Sequence, residues 1–474
     1  MVSLVMKINT VRSSWFEGYG YRLDCQPYLS GALETKTILE TLPVPKHTLR
    51  TVTAGYDGGI YNGPKFRRTY VDGPEYGVPF AGSSSMLYSD LSNLPYLSKE
   101  IAYSKKLSHL ELKPGMTLIS CSGTIGKTVY SRPEMDGIWS SQHIMKVVPD
   151  PDKVPPGYLY AYLSSKFGVP LLVSGTYGSI IQSIEPEHIA ALPVPRLGRE
   201  FEEHIDSLVK EAGRLRSEAN EELRGTSSNL VEFLQLSPLK SENVSDCGWE
   251  SVRAKSLQYR LDAHFHSKAA IEAETAIRNG RYGYKQLSNV SQRLFKPPIF
   301  KRLFVEDPSF GTQFISGNDA YKFRSDDIRY VSKMTPRHDE FILHRGWVVF
   351  QAAGQIYGLF GRPLYVRGWL EELFCADDVY RIVPRTEEDG AFLYAYFRTA
   401  YGRISFQRQS AGDSIPRVWD PQVSQIIVPW PDRDLRYQFA ARVIKAHEAI
   451  EEARQKEDQA IANLEAVIDN LGKK

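Results

Sequence analysis

An internal duplication constrains this chain more than any other feature. An offset of 234 residues aligns residues 64–99 with a later segment without a gap, and it preserves glycine and proline positions: Pro64/Pro298, Pro74/Pro308, Gly77/Gly311. The same offset returns at YLYAYLSSKFG (158–168) against FLYAYFRTAYG (392–402). Shared strand composition would not reproduce several blocks in order at one offset. We therefore expect two copies of one mixed α/β domain.

Shorter matches extend the duplication. LKPGMTLISCSG (112–123) matches LHRGWVVFQAAG (343–354), and further matches are the tetrapeptides 21–24 and 259–262, Gly178/Gly412, and LPVP (192–195) against IVPWP (427–431). MTLIS (116–120) and WVVFQ (347–351) are typical of buried strands. The segments 158–165 and 392–399 are predicted helices with an aromatic stripe, which favours burial in the core over a stacking platform.

A helical segment follows each copy. In residues 199–224 apolar residues recur every three or four positions, and Gly225 before Thr-Ser-Ser predicts a break, with a short helix over 229–236. Residues 434–472 carry a heptad seam with one polar member, Glu457: Val443, Ala446, Ile450, Ala453, Glu457, Ala460, Leu464, Val467, Leu471. We expect the two helices to pack antiparallel as a coiled-coil spacer of about 50 Å. The alternative is that each helix packs on its own domain.

These patterns predict four regions: a first mixed α/β domain over 1–197, a central helical spacer over 198–236, a second domain over 237–433, and a C-terminal spacer helix over 434–474. The chain has net charge +2, but the segments 198–236 and 434–474 carry −4 and −1. The remaining +7 lies on the duplicated domains, a modest asymmetry of the kind that polyanion binding produces.

Composition excludes several classes of protein. Hydrophobic residues make up 42% and charged residues 24%, as in globular proteins. No apolar run approaches the ~18 residues that span a bilayer, and the N-terminus lacks a signal-peptide core, so we expect a cytoplasmic protein without membrane contact. The four cysteines lie far apart in the sequence, at positions 25, 121, 247 and 375. Their spacing argues against a zinc site or a disulfide framework.

Basic and aromatic residues alternate on a predicted loop in each copy. The candidate DNA-binding residues are Lys65, Arg67, Arg68 and Tyr70 in the first copy and Lys296, Lys301 and Arg302 in the second. Cationic forks on a loop suit phosphate oxygens and guanine edges; the alternative is a solvated, charged hairpin. A second cluster adds Arg403, Arg408 and Arg417, whereas the first copy has Val169 and Ser174 at the positions of Arg403 and Arg408. Two readers of different DNA sequences would differ in this way.

Motifs for catalysis are incomplete. SGTIGKT (122–128) resembles the end of a phosphate-binding loop, but Cys121 stands where the full pattern needs glycine, so a strand-to-loop turn is the favoured interpretation. The sequence has no HExxH cluster, no GxSxG elbow and no convincing nuclease or S-adenosylmethionine motif. We therefore expect no catalytic residue, no metal site and no cofactor on this chain.

The arrangement resembles the specificity (S) subunit of a type I restriction–modification system. The resemblance rests on LKPGMTLISCSGTIGK (112–127), YLYAYLSSKFG (158–168) and GSIIQSIEPEHIAALPVP (178–195) before a helix, and on GDSIPRVWDPQVSQIIVPWP (412–431) before the second helix. The second copy departs from the usual turn at Gln355-Ile356-Tyr357.

The resemblance implies a non-catalytic DNA-recognition subunit in antiviral defence. Each domain would read one half of a bipartite duplex DNA site, and the helices would fix the gap. Two methyltransferase subunits would dock, bring S-adenosylmethionine and methylate adenine, and restriction motor-nuclease subunits could join. The alternatives are a protein-interaction scaffold, the recognition part of a related defence or solitary methylation system without a nuclease, and a nucleotide hydrolase.

Overall fold

The chain is described here from a computed structural model. The structure describes residues 8, 10–17, 25–177, 182–240, 251, 254, 260–325, 328–356, 358–412 and 415–473. The repeated tetrapeptide at 21–24, Tyr259 of its second copy, Gly178, Cys247 and Tyr357 lie outside the described residues. The chain divides into two compact units: Met1–Ser217 with Glu452–Lys474 (unit 1), and Glu218–Glu451 (unit 2).

Unit 1 contains short strands and helices before one long helix. Its strands are β1 (Lys46–Thr48), β2 (Ile60–Tyr61), β3 (Tyr70–Val71), β4 (Gly77–Ala81), β5 (Tyr96–Ser98), β6 (Thr117–Ser120), β7 (Thr128–Tyr130), β8 (Trp139–Ser140), β9 (Ile144–Val147) and β10 (Pro193–Pro195). Its helices are α1 (Ser14–Glu17), α2 (Gln26–Leu29), α3 (Ala32–Thr41), α4 (Gly73–Tyr76), α5 (Lys99–Ala102), α6 (Pro156–Ser164), α7 (Gly168–Ser174) and α8 (Pro186–Ala190). The long helix α9 (Arg199–Phe233) begins in unit 1 and ends in unit 2.

Unit 2 repeats this order. Its strands are β11 (Tyr284–Gln286), β12 (Ser291–Phe295), β13 (Phe304–Val305), β14 (Gly311–Ile315), β15 (Arg329–Ser332), β16 (Val348–Gln351), β17 (Pro363–Tyr365), β18 (Phe374–Cys375), β19 (Val379–Pro384) and β20 (Ile427–Pro429). Its helices are α10 (Lys268–Arg278), α11 (Leu287–Val290), α12 (Glu387–Arg398), α13 (Ala400–Gln407) and α14 (Asp420–Ser424). The long helix α15 (Arg433–Gly472) begins in unit 2 and ends in unit 1.

Sheet topology confirms the duplication. Unit 1 has a proximal sheet with the order β2-β9-β6-β7, a distal sheet with the order β3-β5-β4-β8, and the pair β1-β10. Unit 2 has a proximal sheet β12-β19-β16-β17, a distal sheet β13-β15-β14-β18, and the pair β11-β20. In both distal sheets two antiparallel pairings are followed by one parallel pairing. The two units thus share one mixed α/β topology.

The predicted strands and aromatic helices form the cores. MTLIS becomes β6, with every residue buried, and WVVFQ becomes β16. Along α6, Tyr158, Tyr160 and Tyr162 are buried, and the hydroxyls of Tyr158 and Tyr162 donate to the carbonyls of Pro195 and Pro193 at 2.6 Å. The aromatic stripe is therefore core, as predicted, and two of its phenol groups bond to β10.

Each unit also buries a cation on an inner strand of its proximal sheet. Lys146 lies on β9 and Arg381 lies on β19, and both are fully buried. Each strand is paired on both sides, with β2 and β6 in unit 1 and with β12 and β16 in unit 2. The sequence analysis did not single out either residue, because one cation within an apolar strand carries no periodic signal.

Within each unit, part of α9 packs against part of α15 in the antiparallel sense that the sequence predicts. In unit 2 the rings of Phe233 on α9 and Phe439 on α15 are 5.3 Å apart. Glu222, which precedes Phe233 on α9, pairs with Arg442, which follows Phe439 on α15. In unit 1 the first part of α9 shares a hydrophobic cluster with Ala460, Leu464 and Ile468 of α15. Most of the predicted heptad seam is buried, but near its end Ile468 is fully buried in place of Val467, since 3.6 residues per turn drifts against a seven-residue repeat.

The predicted helix break at Gly225 is wrong. Helix α9 runs without interruption through Gly225, Thr226 and Ser227, so no separate helix begins at 229. The hydroxyl of Ser227 donates to the carbonyl of Leu223 at 3.0 Å, and both Thr226 and Ser227 are buried. Packing within unit 2 therefore outweighs the weak helix propensity of these residues.

The segment 122–128 adopts the turn that the sequence predicts. Gly123 and Gly126 both have φ of +79°, which glycine adopts without strain. A Cβ atom at Gly126 would lie 2.6 Å from Cγ1 of Val173, so the position also requires glycine for space. The turn connects β6 to β7.

Candidate nucleic-acid interface

In each unit a cationic loop connects the proximal sheet to the distal sheet. Loop 1 (residues 62–69) runs from β2 to β3, and loop 2 (residues 296–303) runs from β12 to β13. Each loop has three cations and no carboxylate in its sequence. Pro64 in loop 1 and Pro297 and Pro298 in loop 2 lack the backbone N–H that a strand ladder needs. The local sequence therefore favours a loop over a further strand.

One phenylalanine fixes each loop on its unit. Phe66 packs against the distal core of unit 1, with its ring 6.1 Å from that of Phe80. Phe300 packs in unit 2, with its ring 4.7 Å from Phe341 and 5.1 Å from Phe374. Because these rings are held by the core, the neighbouring cations are directed to the surface.

The predicted cations of the loops lie mostly on the surface. Lys65, Arg67 and Arg68 of loop 1 are exposed, as are Lys301 and Arg302 of loop 2. Lys296 is half-buried, and its ammonium lies 5.7 Å from the ring of Trp419. The structure therefore brings the predicted residues of each copy together on one loop.

One arginine in each loop makes the same contact. The guanidinium of Arg68 lies 5.3 Å from the ring centroid of Phe80, and that of Arg302 lies 5.6 Å from the ring centroid of Phe314. Arg68 also donates to Oε1 of Gln142 at 3.1 Å. A guanidinium held over an aromatic face keeps outward N–H groups in a defined orientation, which lowers the entropy lost on binding. This arrangement suits phosphate or base-edge acceptors.

An aromatic residue follows each arginine at the start of the distal sheet. Tyr70 is half exposed, with its ring 6.2 Å from that of Phe80. Phe304 occupies the equivalent position, with its ring 5.6 Å from Phe314. The two units thus keep one aromatic framework and differ by a hydroxyl.

The surroundings of loop 1 are electropositive. The pKa of His143 is lowered, first by burial and then by the nearby charges of Arg68 and Lys65. Near neutral pH this histidine is therefore held in its neutral form, and the loop keeps its positive potential without it.

The second predicted cluster is engaged within unit 2. Arg408 donates to the carbonyl of Phe265 at 2.8 Å, pairs with Glu274, and lies 4.3 Å from the ring centroid of Phe265. Arg403 is half-buried on α13. Arg417 is exposed, and its backbone pairs with Ala353 and Ala411. Of the three arginines, Arg417 therefore has the most accessible side chain.

The sequence analysis missed one pair of cations near the loops. Lys99 donates to the carbonyl of Glu75 at 2.8 Å, and Lys333 donates to the carbonyl of Ser309 at 3.0 Å. Both lysines are exposed, and they directly follow β5 and β15, inner strands of the two distal sheets. The signal was available, because Lys99 and Lys333 are identical across the repeat at the offset of 234.

The chain is similar to S subunits of type I restriction–modification systems. It matches the S subunit from M. genitalium with 13% identity, 91% of this chain and 96% of that chain covered, and a TM-score of 0.31. It matches the HsdS subunit from Thermoanaerobacter tengcongensis with 12% identity, 91% and 97% coverage, and a TM-score of 0.27.

A third similar structure concerns complex assembly and conformational transition of the type I R-M system, with 12% identity, 91% and 97% coverage, and a TM-score of 0.26. No protein-family model and no curated protein sequence matches the chain. The mixed α/β fold described above rests on the chain's own strand order.

Two further observations concern the described residues only. They contain no group of three or more His, Cys, Asp or Glu side chains arranged to hold a metal ion. None of the helices among them is long and apolar enough to cross a bilayer. The chemistry that the loops offer is charge pairing, hydrogen-bond donation and apolar contact.

Proposed function

We propose that this chain is the DNA-recognition subunit of a type I restriction–modification complex. Each unit reads one half of a bipartite duplex site through its cationic loop. The observation that carries this proposal is the pair of equivalent arginines, Arg68 and Arg302, each held over a phenylalanine on a carboxylate-free loop. Phosphate contacts from such loops supply affinity, and contacts to base edges supply specificity.

The remaining predicted residues have different roles in this proposal. Lys65, Arg67, Lys296, Lys301 and Arg417 contact phosphates or base edges, and Tyr70 contacts a base or sugar. Arg408 is given a positioning role, because its guanidinium already binds Phe265 and Glu274. Arg403 lies on the same helix and stays a candidate.

The long helices supply the second part of the proposal. We retain the boundaries 1–197, 198–236, 237–433 and 434–474 for the two recognition domains and their spacer helices. The helices fix the unread gap and dock two methyltransferase subunits, which bring S-adenosylmethionine and methylate adenine. Restriction motor-nuclease subunits complete the complex in the cytoplasm. This chain has no catalytic role of its own.

Selection from a random duplex pool tests the proposal, with the chain co-expressed with its neighbouring methyltransferase. The expected product is a split motif with a fixed gap. Arg68→Ala should lose enrichment of one half only, and Arg302→Ala of the other half only. Arg50→Ala and Arg281→Ala are matched controls, since both remove an exposed arginine outside the loops. Absence of any enriched motif, with folding confirmed, would favour the protein-interaction scaffold.

Salt dependence gives an independent readout. If the loops bind phosphates, log Kd should change linearly with log salt concentration, and each cation removed from a loop should reduce that slope by about one. The two control arginines should leave the slope unchanged. A salt-independent affinity would contradict phosphate binding through loops 1 and 2.

A further inference from the structure

The distal sheets of the two units carry different chemistry on the same backbone. Leu303, Phe304, Phe310 and Met334 of unit 2 are exposed by 49%, 38%, 68% and 89%, and together we call them the apolar surface. At the offset of 234, unit 1 has Thr69, Tyr70, Tyr76 and Glu100. Every member of the apolar surface thus corresponds to a residue with a hydroxyl or a carboxylate in unit 1.

The backbone around Leu303 and Phe304 is the same as that around Thr69 and Tyr70 of unit 1. The amide of Ser98 donates to the carbonyl of Thr69, and the amide of Ser332 donates to the carbonyl of Leu303, both at 2.9 Å. Gly77 and Gly311 lie at equivalent positions, where a Cβ atom would be 2.6 Å from Cβ of the facing tyrosine in either unit. Leu303 and Phe304 are therefore substitutions on an unchanged framework, whereas Phe310 and Met334 lie in turns at the positions where unit 1 has α4 and α5.

The backbones that carry the apolar surface come together at the end of β15. Leu303 accepts from the amide of Ser332, Phe310 accepts from the amide of Lys333 at 3.0 Å, and Met334 donates to the hydroxyl of Ser332 at 3.2 Å. Phe304 pairs with Val331 on the same strand. Four residues with exposed apolar side chains thus have their backbones bonded to or paired with residues 331–333.

Cations adjoin the apolar surface at Leu303 and Met334 and favour a polyanion there, while the carboxylates Glu306 and Asp307 lie between Phe304 and Phe310. Lys301 and Arg302 directly precede Leu303, and Lys333 directly precedes Met334. All three are exposed. A duplex offers both features that this surface needs: phosphates for the cations and, in the major groove, the methyl group of thymine for the apolar side chains.

Resting on the proposed function, we propose that the apolar surface of unit 2 reads thymine methyl groups in its half of the site. Unit 1 presents hydroxyl groups and a carboxylate at the equivalent positions and reads its half by hydrogen bonds. Leu303, Phe304, Phe310 and Met334 are thus specificity-determining residues. The divergence between the copies at these positions makes the two half-sites different in sequence.

Replacement of thymine by deoxyuridine tests this inference, since it removes the methyl group alone. The full chain in its methyltransferase complex is measured on the selected duplex, with the halves assigned by Arg68→Ala and Arg302→Ala. Deoxyuridine in the half read by unit 2 should weaken binding about fourfold per contacted methyl group. Deoxyuridine in the other half should change binding less than twofold.

Variants connect the effect to the surface. Phe310→Ser and Met334→Ser should bring the thymine-to-deoxyuridine affinity ratio of the unit 2 half toward one. Tyr76→Ser, at the position equivalent to Phe310, is the matched control and should leave that ratio unchanged. Unchanged hydrogen-exchange protection of β14 and β15 reports that unit 2 is folded in Phe310→Ser and Met334→Ser.

The outcomes separate the inference from the function. No sequence-specific binding by any form would remove the proposed function. Specific binding with no thymine in the unit 2 half, or with equal affinity for thymine and deoxyuridine, would overturn the methyl-reading inference alone. Loss of methyltransferase association in Phe310→Ser, with an unchanged affinity ratio, would reassign the surface to a protein partner and also overturn it.

Discussion

Units 1 and 2 bury a cation at the same place in the same sheet, but they accommodate it differently. The guanidinium of Arg381 donates to the carbonyls of Cys375, Ala376 and Val379. Lys146 donates to the carbonyl of Ile144 at 3.1 Å and lies 5.6 Å from the ring of Tyr61. Because arginine keeps its proton in proteins, unit 2 must supply acceptors, whereas lysine can lose its proton.

This comparison shows that duplicated frameworks diverge inside as well as on the surface. Burial lowers the pKa of Lys146 to about 7, with a small opposing contribution from the buried thiol of Cys121. Burial also lowers the pKa of Arg381, but its carbonyl partners need the charged form. The same site is therefore a fixed structural charge in unit 2 and a titratable group in unit 1.

The largest expected effect comes from Arg381→Met. It should lower the free energy of unfolding of unit 2 by about 3–5 kcal/mol, because several buried carbonyls lose their donors. Hydrogen exchange of peptides from β16 and β19 measures it for this unit alone. The matched variant Lys146→Met in unit 1 should be neutral or stabilising near neutral pH, and equal destabilisation by both variants would refute the contrast.

The second prediction is a pH dependence confined to unit 1. The pKa of Lys146 is about 7 when folded and near 10.5 when unfolded, so between these values the unfolded state binds more protons. The free energy of unfolding of unit 1 should therefore rise with pH from 7 to 9, by roughly 2–3 kcal/mol at most. Below pH 7, Lys146 is protonated in both states and should add no pH dependence.

Hydrogen exchange of β6 and β9, corrected for the intrinsic rate at each pH, measures this dependence. Lys146→Met should remove the slope, and β16 and β19 of unit 2 should not show it. A slope that persists in Lys146→Met would assign the titration to another group.

The third prediction contrasts the contacts of α6 and α12 with α15. The hydroxyl of Tyr160 on α6 donates to the buried carboxylate of Glu457 within unit 1. Its counterpart Tyr394 on α12 accepts from Arg398 at 3.1 Å and packs its ring 5.2 Å from that of His447. Tyr160→Phe should lower the free energy of unfolding of unit 1 by about 2 kcal/mol, because the buried carboxylate of Glu457 loses a hydrogen-bond donor. Tyr394→Phe should lower the free energy of unfolding of unit 2 by less than half as much. Hydrogen exchange along residues 452–472 reports the first variant, and exchange along residues 433–451 reports the second. Equal losses of stability would contradict the contrast.

The smallest effect tests the continuity of α9. Gly225→Ala should stabilise the helix by about 0.5–1 kcal/mol, since a Cβ atom there would make an ordinary van der Waals contact, 3.9 Å from the guanidinium of Arg442. Gly213→Ala, in the part of α9 that belongs to unit 1, should stabilise the helix less, because its Cβ atom would lie 3.3 Å from the Cβ atom of Arg132. Thermal unfolding followed by circular dichroism at 222 nm compares them. Destabilisation by Gly225→Ala would show that glycine is required there.

Much of the fold could be predicted because its signals are local or repeated. The offset of 234 residues predicts two equivalent units, and the spacing of apolar residues predicts helices at α6, α12, α9 and α15. The error at Gly225 has a physical cause. Propensity describes an isolated helix, whereas Thr226 and Ser227 are buried within unit 2 and Ser227 is bonded to the preceding turn.

The candidate interface could be predicted only in part. The loop cations were found because charge alternates with aromatic residues and persists across the copies. The internal bonds of Arg408 were not predictable, since Glu274 and Phe265 lie more than 130 residues away in sequence. Lys146 and Arg381 were overlooked for the same reason: their burial depends on strands that are distant in the sequence.

The discontinuous makeup of unit 1 has a consequence for biosynthesis. Residues 452–474 supply Ala460, Leu464 and Ile468 to the core of unit 1, whereas unit 2 is one unbroken stretch of chain. During translation, all of unit 2 therefore leaves the ribosome before the last part of unit 1 does. The half of the molecule that is made first completes its folding last, and until then the core residues that pack on Ala460, Leu464 and Ile468 lack that cover, which a chaperone can supply.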